Sequence, residues 1–163
     1  MVAAAVQPAE TPLPAALPRG CTNFKLRQLL RAVARHYDAE IAQAGLKGTQ
    51  FSLLSNVLAL EPVQPMELAR RMGLDASTLT RNLRVLIGQG WVRQGPGADA
   101  RSRLVRITSA GRAKQAEARR YWKKAQLELN ARLGAAQVAA LHALIDYGLA
   151  QLAAGEAEPA GGD

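Results

Sequence analysis

One cysteine, Cys21, in 163 residues excludes an intrachain disulfide. The only histidines are His36 and His142. With Cys21 they are too few soft ligands, at no recognisable spacing, to build a metal site, so no metal and no resident cofactor is expected. No apolar run approaches the about 20 residues that span a bilayer, so no membrane partner is expected. The N-terminus lacks a basic n-region followed by an apolar h-region, which predicts a cytoplasmic protein. There is no glycine-rich phosphate loop, no Ser/His/Asp set and no metal triad, which argues against an enzyme.

What the chain does have is positive charge, concentrated in one place. The formal net charge is +8. Residues 66–108 carry 8 Lys/Arg against 3 Asp/Glu, while the flanking segments are close to balanced. A localised basic excess favours a polyanionic partner.

That basic stretch holds a two-helix motif. Met66 to Met72 predicts a short helix, Gly73-Leu74-Asp75 a turn, and Ala76 to about Gln89 a second helix stopped by Gly90. Asp75 can cap the second helix by accepting from the free backbone N–H groups of its first turn. Leu79, Leu83 and Leu86 fall on one narrow arc and must face a core. Ser77, Arg81 and Arg84 fall on the opposite arc, flanked by Thr78, Thr80 and Asn82. Side chains of these types suit base edges and phosphates, because Arg grips guanine bidentately and the others hydrogen-bond bases or phosphate oxygens. The arrangement is that of a helix-turn-helix whose second helix enters a DNA major groove.

The segment after Gly90 changes period from 3.6 to 2. Trp91 to Gln94 predicts a short strand, Gly95 to Ser102 a turn, and Arg103 to Thr108 the return strand. A hairpin directly after a helix-turn-helix is a wing. Its tip carries Asp99, Arg101 and Arg103, a basic end shaped to reach an adjacent minor groove.

The remaining segments are helical or tail-like. Residues 1–20 are Ala/Pro-rich and predict a disordered tail. A first helix is expected from about Asn23 to Ala44, capped by Thr22 or Asn23, with an apolar stripe of Leu26, Leu30, Val33, Tyr37 and Ile41. Arg27, Arg31 and Arg35 form a basic row on it, best read as solvated. Thr49 is expected to cap a second helix that Pro62 ends. Thr108 or Ser109 opens a long helix to about Leu133, and a last helix runs from Ala136 to about Ala153. The fold class is therefore mainly α with a small β-hairpin wing, a winged helix-turn-helix of α+β type. Its expected parts are a tail at 1–20, a dimerisation helix at 21–48, the DNA-binding domain at 49–108, C-terminal dimerisation helices at 109–153 and a disordered tail at 154–163. The terminal helices are too long for a domain of about 60 residues to cover, which implies a second copy and a pseudo-palindromic operator.

LARRMGLDASTLTRNLRVLIGQGWV at 68–92, DARSRLVRITSAGR at 99–112 and GLKGTQFSLLS at 45–55 together resemble the MarR family of bacterial transcriptional regulators. The resemblance covers about residues 21 to 153. It implies a homodimer with interlocked terminal helices and two winged lobes on double-stranded DNA. It also implies that Asp99 pairs with Arg101 and that Arg101 enters the minor groove. Ser77, Thr78, Thr80, Arg81 and Arg84 would lie in the major groove. Members are commonly repressors released by small aromatic or phenolic acids held between the dimer helices and the DNA lobe. Here such an effector would meet Phe24, Arg27, Tyr37, Phe51, Leu54 and Tyr121, with Arg27 receiving a carboxylate. Peroxide-sensing members carry a reactive cysteine near the position of Cys21, so a redox-sensing repressor is the alternative. A non-specific nucleic-acid-packaging protein is the further one; it would need charge more than a base-reading face.

Overall fold

The computed structural model describes residues 19–97 and 103–156. Helix α1 spans Thr22–Ile41 and is followed by a short 3-10 turn, Ala42–Ala44. Then come α2 (Gly48–Leu60), α3 (Pro65–Met72), α4 (Ala76–Gly88), strands β1 (Val92–Pro96) and β2 (Arg103–Ile107), α5 (Ser109–Leu133) and α6 (Ala135–Glu156). The fold is the expected mainly helical one with a two-stranded antiparallel hairpin.

Several expected boundaries shift, each for a local reason. The N-cap of α1 is Cys21 rather than Thr22 or Asn23, and it makes no side-chain capping bond. Asn23 instead accepts from Arg27 Nε at 3.0 Å. The cap of α2 is Lys47 rather than Thr49. Its free backbone donors are met from elsewhere: Gln50 Oε1 accepts from Lys47 N at 2.8 Å and Asp38 Oδ1 from Gly48 N at 2.7 Å. Helix α3 starts at Pro65, where a missing N–H costs nothing. Trp91 does not begin the strand, because its N–H closes α4 on the Leu86 carbonyl at 3.0 Å. Gly95 belongs to β1, not to the hairpin turn. The last helix continues to Glu156, three residues into the segment expected to be a tail.

The hairpin has a partner that periodicity did not reveal. Val63 pairs with Val105 through both backbone bonds, Val63 N to Val105 O at 3.2 Å and Val105 N to Val63 O at 2.8 Å. Pro62 and Pro65 bracket Val63, so this third strand is one residue long. In the hairpin Val92 faces Ile107 and Arg93 faces Arg106. Val92, Val105 and Ile107 point into the core.

One continuous core runs from Ile41 to Ala118. Leu53, Leu54 and Val57 of α2, Leu68 of α3, Leu79 and Leu86 of α4, and Val105 of β2 are all fully buried. The core crosses positions 48 and 49, so α1 and the winged lobe share packing. By contrast the first turns of α1 and most of α6 leave apolar side chains uncovered. Leu30 is 67% and Leu152 is 73% exposed. Of the apolar residues Val138, Leu141, Ile145, Leu149 and Leu152 in α6, only Val138 is buried and Leu141 half-buried.

The junction between wing and α5 is tight. Thr108 caps α5, accepting from Gly111 N at 3.0 Å, as expected. A Cβ on Gly111 would lie 2.0 Å from the Trp91 carbonyl oxygen. Gly to Ala inside a helix ordinarily stabilises by about 1 kcal/mol. Here the sign reverses: Gly111→Ala should destabilise by about 1–3 kcal/mol, the usual scale of overpacking, measured by urea unfolding.

Candidate nucleic-acid interface and adjoining cavity

Helix α4 is presented by the turn before it. Gly73 sits at φ +61, a left-handed conformation that a side chain would strain, and Leu74 N donates back to the Ala69 carbonyl at 2.9 Å. Asp75 then caps α4. Its Oδ1 accepts from Thr78 N at 2.7 Å and Ser77 Oγ at 2.6 Å, and its Oδ2 from Thr78 Oγ1 at 2.7 Å. These bonds, that from Ser77 foremost, hold the Asp75 carboxyl well below the usual carboxylate range.

Leu79, Leu83 and Leu86 anchor the helix in the core. Ser77, Thr80, Arg81 and Arg84 are exposed and line one shallow groove with Ala76. Thr78 and Asn82 are half-buried at its edges. Arg103 is exposed at the start of β2. Asp99 and Arg101, expected at the wing tip, lie outside the described residues.

The base of the wing is held by Glu61, which sequence reading missed. Its Oε2 accepts from Ile107 N at 2.7 Å and its Oε1 from the Arg112 guanidinium. Pro62 turns the backbone away here, so the Glu61 carboxylate takes the acceptor position one step beyond the Val63–Val105 pair. Arg93 and Arg106 line the same hollow. Like charges directly opposite on a hairpin repel, and Glu61 puts a carboxylate into the same hollow.

A cavity of about 630 Å³ opens behind the lobe, between α1, α2 and α5. Tyr37, Asp38 and Ile41 come from α1; Thr49, Phe51, Ser52, Ser55 and Asn56 from α2; Gln115, Arg119 and Trp122 from α5. The Phe51 and Trp122 rings lie 6.3 Å apart at 31°. Of the expected effector residues, Tyr37 and Phe51 line this cavity. Phe24 does not and is 58% exposed, Leu54 is sealed in the core, and Tyr121 packs half-buried against it. Arg27 lines a separate apolar groove between α1, α5 and α6. The cation at the cavity is therefore Arg119, not Arg27. The polar residues Ser52, Ser55 and Asn56 on the otherwise apolar α2 were a visible signal of this wall; Arg119, on a helix rich in basic residues, gave none.

Cys21 is exposed at the start of α1. His36 is committed to structure, its Nε2 donating to the Ala125 carbonyl at 2.8 Å, and His142 is exposed on α6. Among the described residues no single helix is long and apolar enough to cross a membrane.

An amphipathic helix anchored by leucines, fronted by a basic polar groove and backed by a hairpin defines a winged helix-turn-helix DNA-binding transcriptional regulator. The MarR family model matches residues 44–102. The transcriptional regulator MosR of M. tuberculosis, solved in complex with DNA, is 33% identical with a TM-score of 0.72, over 83% of this chain and 98% of that one. A mutant MarR of E. coli complexed with operator DNA is 26% identical with a TM-score of 0.73, over 78% of this chain and 92% of that one. YwoH of Bacillus subtilis, an uncharacterized HTH-type transcriptional regulator, is 28% identical over 93 residues, 57% of this chain and 68% of that one. The chain belongs to the MarR family.

Two outcomes follow from the polar contacts. Removing the Glu61 carboxylate orphans the Ile107 N–H and the Arg112 guanidinium, so Glu61→Ala should cost about 1–3 kcal/mol in urea unfolding. Glu61→Gln, which keeps an acceptor for Ile107, should cost less. The second outcome concerns Asp75. Its folded-state value lies below the unfolded one, so its contribution is complete above the unfolded value of about 3.9 and is lost as pH falls through the folded value. The difference in Tm between wild type and Asp75→Ala should therefore be constant from neutral pH to about pH 4 and narrow below it.

Proposed function

We propose that the chain is a homodimeric repressor that binds a pseudo-palindromic operator and is released by a small aromatic or phenolic acid. The observation that carries this reading is the cavity between α1, α2 and α5, because it adjoins both the terminal helices and the winged lobe. Its about 630 Å³ falls in the usual range for small-molecule sites. Phe51 and Trp122 offer ring faces, Arg119 suits a carboxylate, and Ser52, Ser55 and Asn56 suit a phenolic hydroxyl. The uncovered leucines of α1 and α6 support pairing with a second copy. On the DNA side, Ser77, Thr78, Thr80, Arg81, Asn82 and Arg84 take the major groove. Asp99, Arg101 and Arg103 take the wing's minor-groove contact. MosR and MarR in complex with DNA support assigning duplex DNA as the partner.

The reading is tested by measuring operator affinity against a panel of aromatic acids. An effective acid should weaken binding for wild type, while Arg119→Ala keeps wild-type affinity for DNA and loses the response to the acid. Arg81→Ala or Arg84→Ala should weaken specific binding by about 1–3 kcal/mol if the side chain reads guanine. A wild-type chain that prefers no sequence over random duplex across a salt series would overturn the operator reading.

A further inference from the structure

Ser77 and Thr80 line the groove of α4 and Thr78 stands at its edge, and none of the three hydroxyls has a proton to give outward. Ser77 Oγ is 2.6 Å from Asp75 Oδ1, and Thr78 Oγ1 is 2.7 Å from Asp75 Oδ2. Thr80 Oγ1 is 2.7 Å from the Ala76 carbonyl oxygen. An ionised carboxylate and a carbonyl can only accept, so the hydroxyl is the donor in every pair. A hydroxyl has one proton and two lone pairs. Once its proton is committed, it can only accept from a ligand.

That polarity decides what the front of the helix can read. Phosphate oxygens are acceptors, as are guanine O6 and N7 and thymine O4. None of these can bond to a hydroxyl whose proton is already used. In the major groove the donors are adenine N6 and cytosine N4. Asp75 adds a second effect: its negative charge offsets the positive end of the helix dipole and disfavours a phosphate at this turn. The donors, Arg81 and Arg84, lie along the same groove. The helix thus presents acceptors at its first turn and guanidinium donors one turn later.

We propose that Asp75 is a specificity-determining positioning residue: by taking the proton of Ser77, it makes Ser77 select a base with an exocyclic amine, adenine or cytosine, over guanine or thymine. Asp75 itself touches no base. Ser77 carries the contact because it is exposed, whereas Thr78 is half-buried. The inference rests on the reading of α4 as the base-contacting helix.

The test begins with duplexes selected from random sequence by the full-length chain and by Ser77→Ala. The position whose preference Ser77→Ala loses is the one Ser77 governs. At that position the exocyclic amine is then deleted, adenine to purine or cytosine to 2-pyrimidinone, and binding is measured. Wild type should lose affinity about 10-fold, the scale of one hydrogen bond, and Ser77→Ala should not respond. Asp75→Gly removes the acceptor of the Ser77 proton at little cost to the helix start, whereas an Asn would keep it, because Ser77 Oγ and the capping Thr78 N share the one oxygen Oδ1. Asp75→Gly should bind with helix content unchanged by circular dichroism, and its response to amine deletion should fall below about 2-fold on the same hydrogen-bond scale. The proposal is overturned if Ser77→Ala changes no position. It is equally overturned if wild type responds to loss of the partner base's keto oxygen instead of the amine, or if Asp75→Gly responds as wild type does. Enrichment of no sequence by wild type would overturn the base-reading role of α4 itself, an outcome distinct from a wrong polarity at Ser77.

Discussion

Helix α2 is the constraint on which the rest of the structure depends, because it is packed on almost every side. It touches α1, α3, α4, α5 and β2. Leu53, Leu54 and Val57 are sealed completely, and Phe51 nearly so. The faces that meet these neighbours must be apolar, and Phe51, Leu53, Leu54 and Val57 make them so. The polar side chains of α2 are therefore informative. Thr49, Ser52, Ser55 and Asn56 collect on the strip that faces the cavity, and Glu61 stands at the C-terminal end against β2. The same element forms a wall of the cavity at one end and carries the acceptor for the wing at the other.

Charge follows a comparable division. Four of the arginines of residues 66–108 fall into two pairs of different surroundings. Arg81 and Arg84 line the groove of α4, while Arg93 and Arg106 sit across from one another in the hairpin around Glu61. The first pair lies on the exposed face of α4, and the second shares a hollow with Glu61, whose carboxylate is only 15% exposed and pairs with Arg112. Net charge alone makes both pairs look like nucleic-acid ligands. Hairpin register and the hollow shared with Glu61 separate them, because a carboxylate in the same hollow lowers the local positive potential offered to a phosphate.

Elements governed by short-range rules were legible in the sequence. The spacing of Leu79, Leu83 and Leu86 gave the buried face of α4, and Asp75 gave its cap, since both are matters of adjacent turns. The two-residue period of the return strand puts Arg103, Val105 and Ile107 on one face, and Val105 and Ile107 are buried on it. What could not be read depended on residues distant in the chain. The one-residue strand at Val63 exists only because Val105 is beside it, and the caps of α2 include Asp38 from another helix. The cavity needed the same information. Arg27 and Arg119 are both arginines on amphipathic helices, and only the packing of α1 on α5 turns Arg119 toward α2 and Arg27 toward α6. Leu54 was misassigned for a related reason: on a helix buried on nearly all sides, being apolar does not say which neighbour a residue meets.

On the proposed reading these placements offer regulation a physical route. A ligand between Arg119 and the polar strip of α2 would push on residues 49–56. Helix α2 cannot yield locally, because close-packed side chains on its other faces transmit displacement rather than absorb it. Motion would reach β2 through the two Val63–Val105 bonds and the Glu61 carboxylate, and reach α4 through the leucines that α2 packs against. Gly111 closes the circuit: its close approach to Trp91 ties the end of α4 and the start of β1 to α5, which also carries Arg119. A shift of α5 against α2 therefore moves the reading helix and the wing together, as one lobe. On the proposed reading as a two-fold dimer, that movement would change the separation of two α4 helices without altering the groove on either, so affinity would change while the bases assigned to Ser77, Arg81 and Arg84 stay the same.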